Sequence, residues 1–560
     1  MKTSPALLKR VTDLLDASNA LMAKEGVEAR VSFLASAYGP RKRGTDEGMS
    51  FSPSKDSIIH VNEVHPIVRQ ANASLYSKDP DIIVKPRSAQ WNDSAKKQEL
   101  FANWAARRQD HHREITLALT SANLFHYGVI KLGVGAKGLP SLTYTHPLSF
   151  RGDPTQEMFE PESGRWCAFK YKRSLSALRA SGLYEEDELD KVGEHLIKQE
   201  GSGWSEETTP VWLWENYLYE RVEGKRKLLI VTGIADSSLI IREEPFTDVA
   251  GLPCRILQFA PSFNSYFPIS PVELWIDQQI ELNAIRSNQL IHSDRAQRKI
   301  LYQDGMFDPE EIAKFESVEP LVAIATKGGK ESAWIMEQAN LNADVYQAEE
   351  RIKGDIQRIS GVGDMHIGGN QNAASRSATE ASIVESSLRL RSTDRQDYFQ
   401  RFLQSVYHGF LKLAQERLSE PMQIKIMDGY WVPIDKESLK GETDVEISVG
   451  STMASDRKSE WDQALAVYEQ LSQNPLIDPQ KPLMYLLGKL PDIKDANSWL
   501  ASPVLPPMAP AGVPGMPPGA PPGMPPMGVP PLPGNAPPLA PPGASPLQFA
   551  SLLRGEVGGA

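Results

Sequence analysis

The stretch from Pro271 to Glu420 reads as a helix, a small acidic α/β insert, a second helix, a Gly/Asn/Ser loop and one very long helix. That order suits a subunit that lines a hole better than one that closes a pocket. The first helix, about Val272 to Ile300, carries Gln278, Gln279, Asn283, Asn288, Gln289 and Ser293 among a few apolar positions. A helix that is polar nearly all round is expected to bridge solvent or to pack against copies of itself through hydrogen bonds. The last helix, Thr379 to Leu418, spans roughly 60 Å at about 1.5 Å per residue. That length exceeds an ordinary domain core and points to an extended protomer in a large assembly.

At 560 residues the chain can hold three or four domains, and 41% hydrophobic with 23% charged residues is enough to bury a core over most of it. A net charge of -11 argues against tight, sequence-independent DNA binding, which needs Lys and Arg on phosphates. Two cysteines, Cys167 and Cys254, imply a reducing compartment and no disulfide framework. There is no apolar run long enough for a membrane-spanning helix, and MKTSPALLKRVTDLLD lacks the apolar centre of a signal peptide. The expectation is a soluble protein made inside the cell, without a membrane partner.

Along the chain, Leu8, Val11, Leu14, Leu15 and Leu21 predict a helix over 5–24, and 38–57 reads as a charged loop. A helix near Pro66–Ser77 leads to a strand Asp81–Lys85, then to one long helix from Asp93 to His126. Two strands, Tyr127–Gly133 and Ser141–Tyr144, come next with a Gly-rich turn between them. β-type runs dominate from Trp166 to Phe267, interrupted by a helical excursion at Ser174–Gln199. The insert Leu301–Ala343 has eight acidic against three basic residues and two strand-like segments around Lys327–Lys330. Asp308-Pro309-Glu310-Glu311 is a helix start there. In the long helix the stripe Ala381, Val384, Leu388 lapses over Arg391–Asp397 and resumes at Phe399, Phe402, Val406, Phe410 and Leu413. The lapse predicts a kink or a change of packing partner. Residues 501–560 hold 19 of the 43 prolines and two charged residues, a composition that cannot bury a core and reads as disordered. The fold class is α+β.

The motifs point away from chemistry. Gly133-Val-Gly135-Ala-Lys-Gly138 fits a dinucleotide fingerprint by letter, but a strand comes after it where that fingerprint needs a helix, so these glycines belong to a hairpin turn. There is no phosphate-loop signature. His111 and His112 are adjacent on a helix, so they cannot share a metal and read as solvated surface residues. The remaining histidines show no zinc-ligand spacing, so no metal, no cofactor and no catalytic group is expected. The polar loop 360–378 collects four glycines with Asn370, Gln371, Asn372, Ser375 and Arg376. It is either an ordinary inter-helix loop or one that touches a phosphate backbone without reading sequence.

Several strings, in order, resemble the portal proteins of tailed bacteriophages. Ala122-Asn-Leu-Phe-His-Tyr-Gly128-Val-Ile-Lys131-Leu-Gly133 is similar to the family's helix-into-strand element. His146-Pro147-Leu-Ser-Phe150-Arg-Gly-Asp153-Pro154 is similar to the strand and turn that come after that element. Pro268-Ile-Ser270 with Asp277-Gln-Gln-Ile-Glu281-Leu282-Asn283-Ala-Ile-Arg286-Ser287 resembles the start of the first stem helix. Gly361-Val-Gly-Asp with Ala378-Thr-Glu-Ala381 resembles the loop before the long helix. The resemblance covers about residues 60–420. It implies a multi-domain protomer: 1–270 as wing, 271–300 as first stem helix, 301–343 as clip, 344–359 as second stem helix, and 360–378 as tunnel loop. Beyond these, 379–419 becomes a long kinked helix of wing and crown, 420–455 wing strands, 456–500 a helical crown, and 501–560 a Pro-rich tail. The tail departs from relatives that end in a helical barrel.

That resemblance further implies a ring, usually of twelve copies, at one capsid vertex of the virion, assembled in the host cytoplasm. Its partners would be itself, terminase, head–tail adaptors, the major capsid and scaffolding proteins, and double-stranded DNA in transit. The tunnel-loop residues would touch that DNA. The acidic clip, through Glu310, Glu311 and Glu316, is expected to dock proteins, because its charge repels DNA and complements a basic partner. The two stem helices carry four acidic against four basic and four acidic against three basic residues, so neither is a basic stripe. A conduit needs such walls, since every phosphate contact hinders sliding. The alternatives are another virion ring, such as a head–tail adaptor, and an α+β nucleic-acid enzyme.

Overall fold

The computed structural model describes residues 5–39, 59–135, 138–200, 205–222, 225–235, 239–246, 251–295, 300–302, 305–310, 327–328, 333–335, 343–361, 378–427, 430–447, 465–469 and 471. One compact unit spans 1–457 and a second spans 458–560. In the second unit the described residues are helical. The Pro-rich segment, Glu311 and Glu316, and all five polar residues expected to touch DNA (Asn370, Gln371, Asn372, Ser375, Arg376) lie outside the described residues.

The first unit opens with α1 (Pro5–Lys24), α2 (Val27–Tyr38) and α3 (Val64–Leu75), then β1 (Ile82–Pro86). The long helix expected over 93–126 is instead two, α4 (Asn92–Arg108) and α5 (His111–Leu124). Asp110 separates them with φ 52, a left-handed conformation that a helix cannot pass through and that Asp tolerates better than most residues. The break corrects a second expectation. His111 begins the new helix and is buried, its ring 5.1 Å from Phe410 and 5.9 Å from Tyr407, whereas His112 is half-buried, stacked on Tyr76 at 4.6 Å. Burial pushes the His111 imidazole down to about 4, so it is neutral at neutral pH.

The hairpin β2 (Gly128–Val134) and β3 (Pro140–Thr145) is joined on its β2 side by β9 (Cys254–Leu257) in a three-stranded antiparallel sheet. Its glycines sit at the turn, as the strand-after-glycine pattern predicts. Gly135 N–H donates to the Leu139 carbonyl at 2.7 Å, and Gly138 has φ +73. Next in the chain is a five-stranded antiparallel meander: β4 (Phe150–Gly152), β5 (Trp166–Ser174), β6 (Pro210–Val222), β7 (Lys225–Ile234) and β8 (Ile240–Phe246). The predicted helical excursion between β5 and β6 is α6 (Leu175–Ser181) and α7 (Glu186–Glu200). Strand alternation decides what each sheet face packs against. Trp166, Ala168, Trp214 and Leu218 meet Val11 of α1, while Val211 and Leu213 meet Leu178, Leu189 and Val192 of α6 and α7.

The second half supplies α8 (Ile276–Arg295), the pair β10 (Ile300–Tyr302) and β11 (Ala333–Ile335), α9 (Ala343–Ser360) and α10 (Ala378–Arg417). β12 (Met422–Met427), β13 (Tyr430–Ile434) and β14 (Thr443–Ile447) complete it. Ile300 therefore belongs to a strand, and the first central helix is shorter than expected at both ends. Helix α10 is 40 residues long, and its predicted stripe from Phe399 to Leu413 is buried against α4, α5 and β2. At roughly 1.5–3 kcal/mol for each fully buried large apolar side chain, this stripe is a main support of the fold. Helix and sheet meet closely at Gly409, where a Cβ would stand 2.4 Å from Leu132 Cδ1 and 2.7 Å from Arg255 Nη2. Arg255, itself buried, donates to the Ser405, Leu252 and Cys254 carbonyls. The chain is closed by β14, which pairs antiparallel with β1 from Ile82↔Ile447 to Pro86↔Thr443.

Candidate channel-wall site

Helices α8 and α9 occupy the two positions expected to line a channel. They are antiparallel: Arg286 and Gln289 of α8 reach Glu349 of α9 at 3.3 and 3.5 Å, and β10 pairs antiparallel with β11 just beyond them. Glu349 also takes an ion pair from Lys353 at 2.8 Å, and that hydrogen bond holds its carboxyl below the usual range. Ile352 and Ile356 of α9 are buried in one core with Ile276 and Leu282 of α8. Ile359, about one turn further along, is exposed.

The polar character of α8 has a specific cause that composition did not reveal. Gln279, Asn283 and Ser287 are spaced four apart on one face, and they hold a non-helical segment, residues 59–63, along the helix. Ile59 N–H donates to Ser287 Oγ at 2.8 Å, Val61 N–H to Asn283 Oδ1 at 2.9 Å, and Glu63 N–H to Gln279 Oε1 at 3.2 Å. Gln279 Nε2 returns hydrogen bonds to the Val61 carbonyl and to Asn283 Oδ1. The periods match. Two extended residues advance about 6.6 Å and four helical residues about 6 Å, so alternate amides meet successive turns. Side chains of a helix thus act as the partner strand. Solvent bridging and self-association, expected of so polar a helix, are not what these three residues do. The i, i+4, i+8 spacing of small polar side chains was the signal available in the sequence.

Upstream, Ser270 Oγ accepts from Val272 N–H at 3.1 Å and donates to the Leu124 carbonyl at 2.8 Å, tying the turn before α8 to the end of α5. Glu273 in this turn lies 3.5 Å from Arg30 and 3.5 Å from His126. His126 is fully buried, and burial, reinforced by the nearby Arg30 charge, pushes it down to about 3. It is therefore neutral at neutral pH, and its proximity to Glu273 is not an ion pair.

Of the residues expected to dock partners, Glu310 is described. It is exposed and stands after Pro309 at a helical turn. Lys327 donates its N–H to the Met306 carbonyl at 2.9 Å and pairs with Asp308. Elsewhere, a cleft of about 850 Å³ lies between the hairpin and the five-stranded sheet, lined by Lys131, Tyr171, Glu215, Tyr217 and Arg242. Lys131 pairs with the buried Glu215 at 2.5 Å, a contact that fastens the two sheets together. Among the described residues there is no cluster of side chains able to hold a metal ion, and no helix is long and apolar enough to cross a membrane.

A comparison with solved structures finds three particle structures to which this chain is similar. The neck of a native GTA particle computed with C12 symmetry is 12% identical, with a TM-score of 0.37, over 75% of this chain and 89% of that one. The virion of a native gene transfer agent particle is 12% identical at TM-score 0.38, over 75% and 88%. The neck of an empty GTA particle computed with C6 symmetry is 10% identical at TM-score 0.38, over 75% and 88%. No curated protein matches the chain. A family model, that of the phage SU10 portal protein, matches residues 136–511, a span that takes in β5–β9, the α8–α9 pair, residues 362–377 and α10 itself. More than half of the chain is matched, and it belongs to the phage SU10 portal protein family.

Proposed function

We propose that this chain is one subunit of a portal ring at a single capsid vertex, a passive channel through which the genome is packaged and later ejected. The family match over 136–511 carries this reading, and it favours a portal over a head–tail adaptor or a nucleic-acid enzyme. The protein is a structural component of the virion, assembled in the host cytoplasm. Within the ring we assign 271–300 and 344–359 to the stem, 301–343 to the clip and 360–378 to the tunnel loop. The N-terminal 1–270 together with 420–455 forms the wing, 379–419 links wing and crown, and 456–500 is the crown.

The stem assignment is supported by the α8–α9 pair, a rigid two-helix element whose strap and Glu349 cross-link fix it to the body. A channel wall must resist a passing duplex without binding it, and a stapled, nearly charge-balanced helix pair meets both needs. Asn370, Gln371, Asn372, Ser375 and Arg376 are the DNA-facing residues in this proposal. Glu310, Glu311 and Glu316 are the face offered to terminase and adaptors, and capsid and scaffolding proteins surround the wing. The test is negative-stain imaging of the purified full chain, which should give rings with a central hole, of about twelve copies. Monodisperse compact monomers across the micromolar range would overturn the reading.

A further inference from the structure

The chain's two cysteines come from different sheets and end thiol to thiol. Cys254 lies opposite Lys131 across the β9–β2 ladder, so both side chains leave the three-stranded sheet on one face. Lys131 shows what that face meets. Its Nζ pairs with Glu215 at 2.5 Å and stands 5.2 Å from the centre of the Phe169 ring and 5.8 Å from that of Tyr217. Cys167 belongs to the same face of the five-stranded sheet, two residues before Phe169 on β5 and directly opposite Tyr217 of β6. Both cysteines are fully buried, in one core, as free thiols in contact with each other. The cleft between the two sheets opens beside them, since their neighbours Lys131, Phe169 and Tyr217 line it.

We propose that Cys167 and Cys254 are a modification site, closed into a disulfide between the two sheets by a peroxide-class oxidant once the subunit leaves reducing surroundings. The chemistry belongs to the single subunit; its timing, after release of the virion from the host cytoplasm, rests on the portal reading above. In the first step one sulfur attacks a peroxide oxygen and the O–O bond breaks. The thiol proton leaves with the departing oxygen as water, giving a sulfenic acid. The second sulfur then attacks the sulfenic sulfur, the S–S bond forms, and the S–O bond breaks as hydroxide takes the second thiol proton. Two thiols and one hydrogen peroxide thus become one disulfide and two waters, with two electrons passing from sulfur to oxygen. Burial and the adjoining Cys254 push the Cys167 thiol up, and the Lys131 ammonium opposes them. Little thiolate is therefore present, and closure is slow. Slow closure spares a subunit folding in a reducing cytoplasm and suits a particle that waits outside the cell. The bond closes a loop of roughly 90 residues and ties β5 to β9, beside the Lys131–Glu215 pair.

The experiment takes the full chain, purified with a reductant that is then removed, and incubates it with hydrogen peroxide for hours. Samples are unfolded in an alkylating agent and read by peptide mapping, with a thermal melt in parallel. Both thiols should be lost to the alkylating agent together, and a linked peptide pair holding Cys167 and Cys254 should appear, lighter by two hydrogens than its parts. The melting temperature should rise by about 3–8 °C and fall back when a dithiol reductant is added. In Cys167→Ala, Cys254 should stay alkylatable or gain oxygen, with no rise in melting temperature. Met158, 43% exposed, reports the dose through its sulfoxide. The site is overturned if Met158 is oxidised while both thiols stay alkylatable, if they gain oxygen without a linked pair, or if the link joins two chains. Those outcomes are read on the parent chain, whether or not Cys167→Ala folds. Absence of rings from the parent chain overturns the timing alone.

Discussion

Replacing Gln279 with alanine isolates the device that fixes α8 to the body. Gln279 is 1% exposed, and its amide serves both sides of the strap, accepting from Glu63 N–H and donating to the Val61 carbonyl. Alanine keeps the helix, whose propensity it favours, but leaves a backbone donor and a backbone acceptor without partners. At roughly 1–2 kcal/mol for each such group, the strap should loosen by about 2–4 kcal/mol. Since about 1.4 kcal/mol is tenfold in an opening equilibrium, amide exchange at Val61 and Glu63 should speed up about thirtyfold or more. Hydrogen–deuterium exchange on peptides covering 59–63 reads this directly, and urea unfolding reads how much reaches global stability. Asn288→Ala, on the exposed face of the same helix, should change neither by more than about 0.5 kcal/mol. Unchanged protection of 59–63 in Gln279→Ala would show that the strap is held by something other than these side chains.

Acid should weaken the fold through its two buried histidines. His111 and His126 titrate in the native state at about 4 and about 3, below the ordinary 6.5, so the unfolded chain binds their protons first. Their contribution is complete above pH 6.5 and is lost as pH falls below it, by about 2 kcal/mol each at pH 5. His111→Phe should flatten the pH dependence of the urea midpoint between pH 6.5 and 4, and an unaltered slope refutes this. Gly409→Ala should destabilise by about 1–3 kcal/mol, because its methyl would press on Leu132 and on an Arg255 already held by three carbonyls; parental denaturant stability would contradict it. Reversing Glu310, Glu311 and Glu316 to lysine should weaken binding of terminase or adaptor by at least tenfold in a pull-down at low salt while rings persist, and undiminished binding of both partners removes the clip from docking. Shortening 364–375 to a few glycines should leave ring yield unchanged and alter packaged DNA length or retention, and normal packaging would free that loop of its assigned role.

What could be read beforehand tracked the strength of local signals. The Phe399–Leu413 stripe of α10, the hairpin around Gly133–Gly138 and the excursion before β6 are set by periodicity and turn residues within a dozen positions, and they appear where the pattern puts them. The break at Asp110 had no comparable signal, since no proline or glycine marks it. His111 was misread for the same reason, because only the break turns it inward. For α8, the composition was visible but its purpose was not. The partner of Gln279, Asn283 and Ser287 is backbone some 220 residues earlier, and backbone amides leave no trace in a residue pattern. The pairing of β1 with β14 was equally hidden, because both are short and neither carries a turn to its partner.

That last pairing also sets the order in which a subunit can be born. Strand β1 leaves the ribosome early, but the strand that covers its edge begins at Thr443, and at roughly 5–20 residues per second the wait is about 20–70 s. Helix α10, against which α4 and α5 bury their faces, also arrives late, so the N-terminal part of the nascent chain has neither its core nor its edge partner. A subunit therefore reaches its complete fold only once synthesis has passed residue 447. A chain terminated before β14 would carry an uncovered strand edge, a template for aggregation and a mark for degradation. Protease sensitivity of chains arrested on either side of residue 447 would show that step directly.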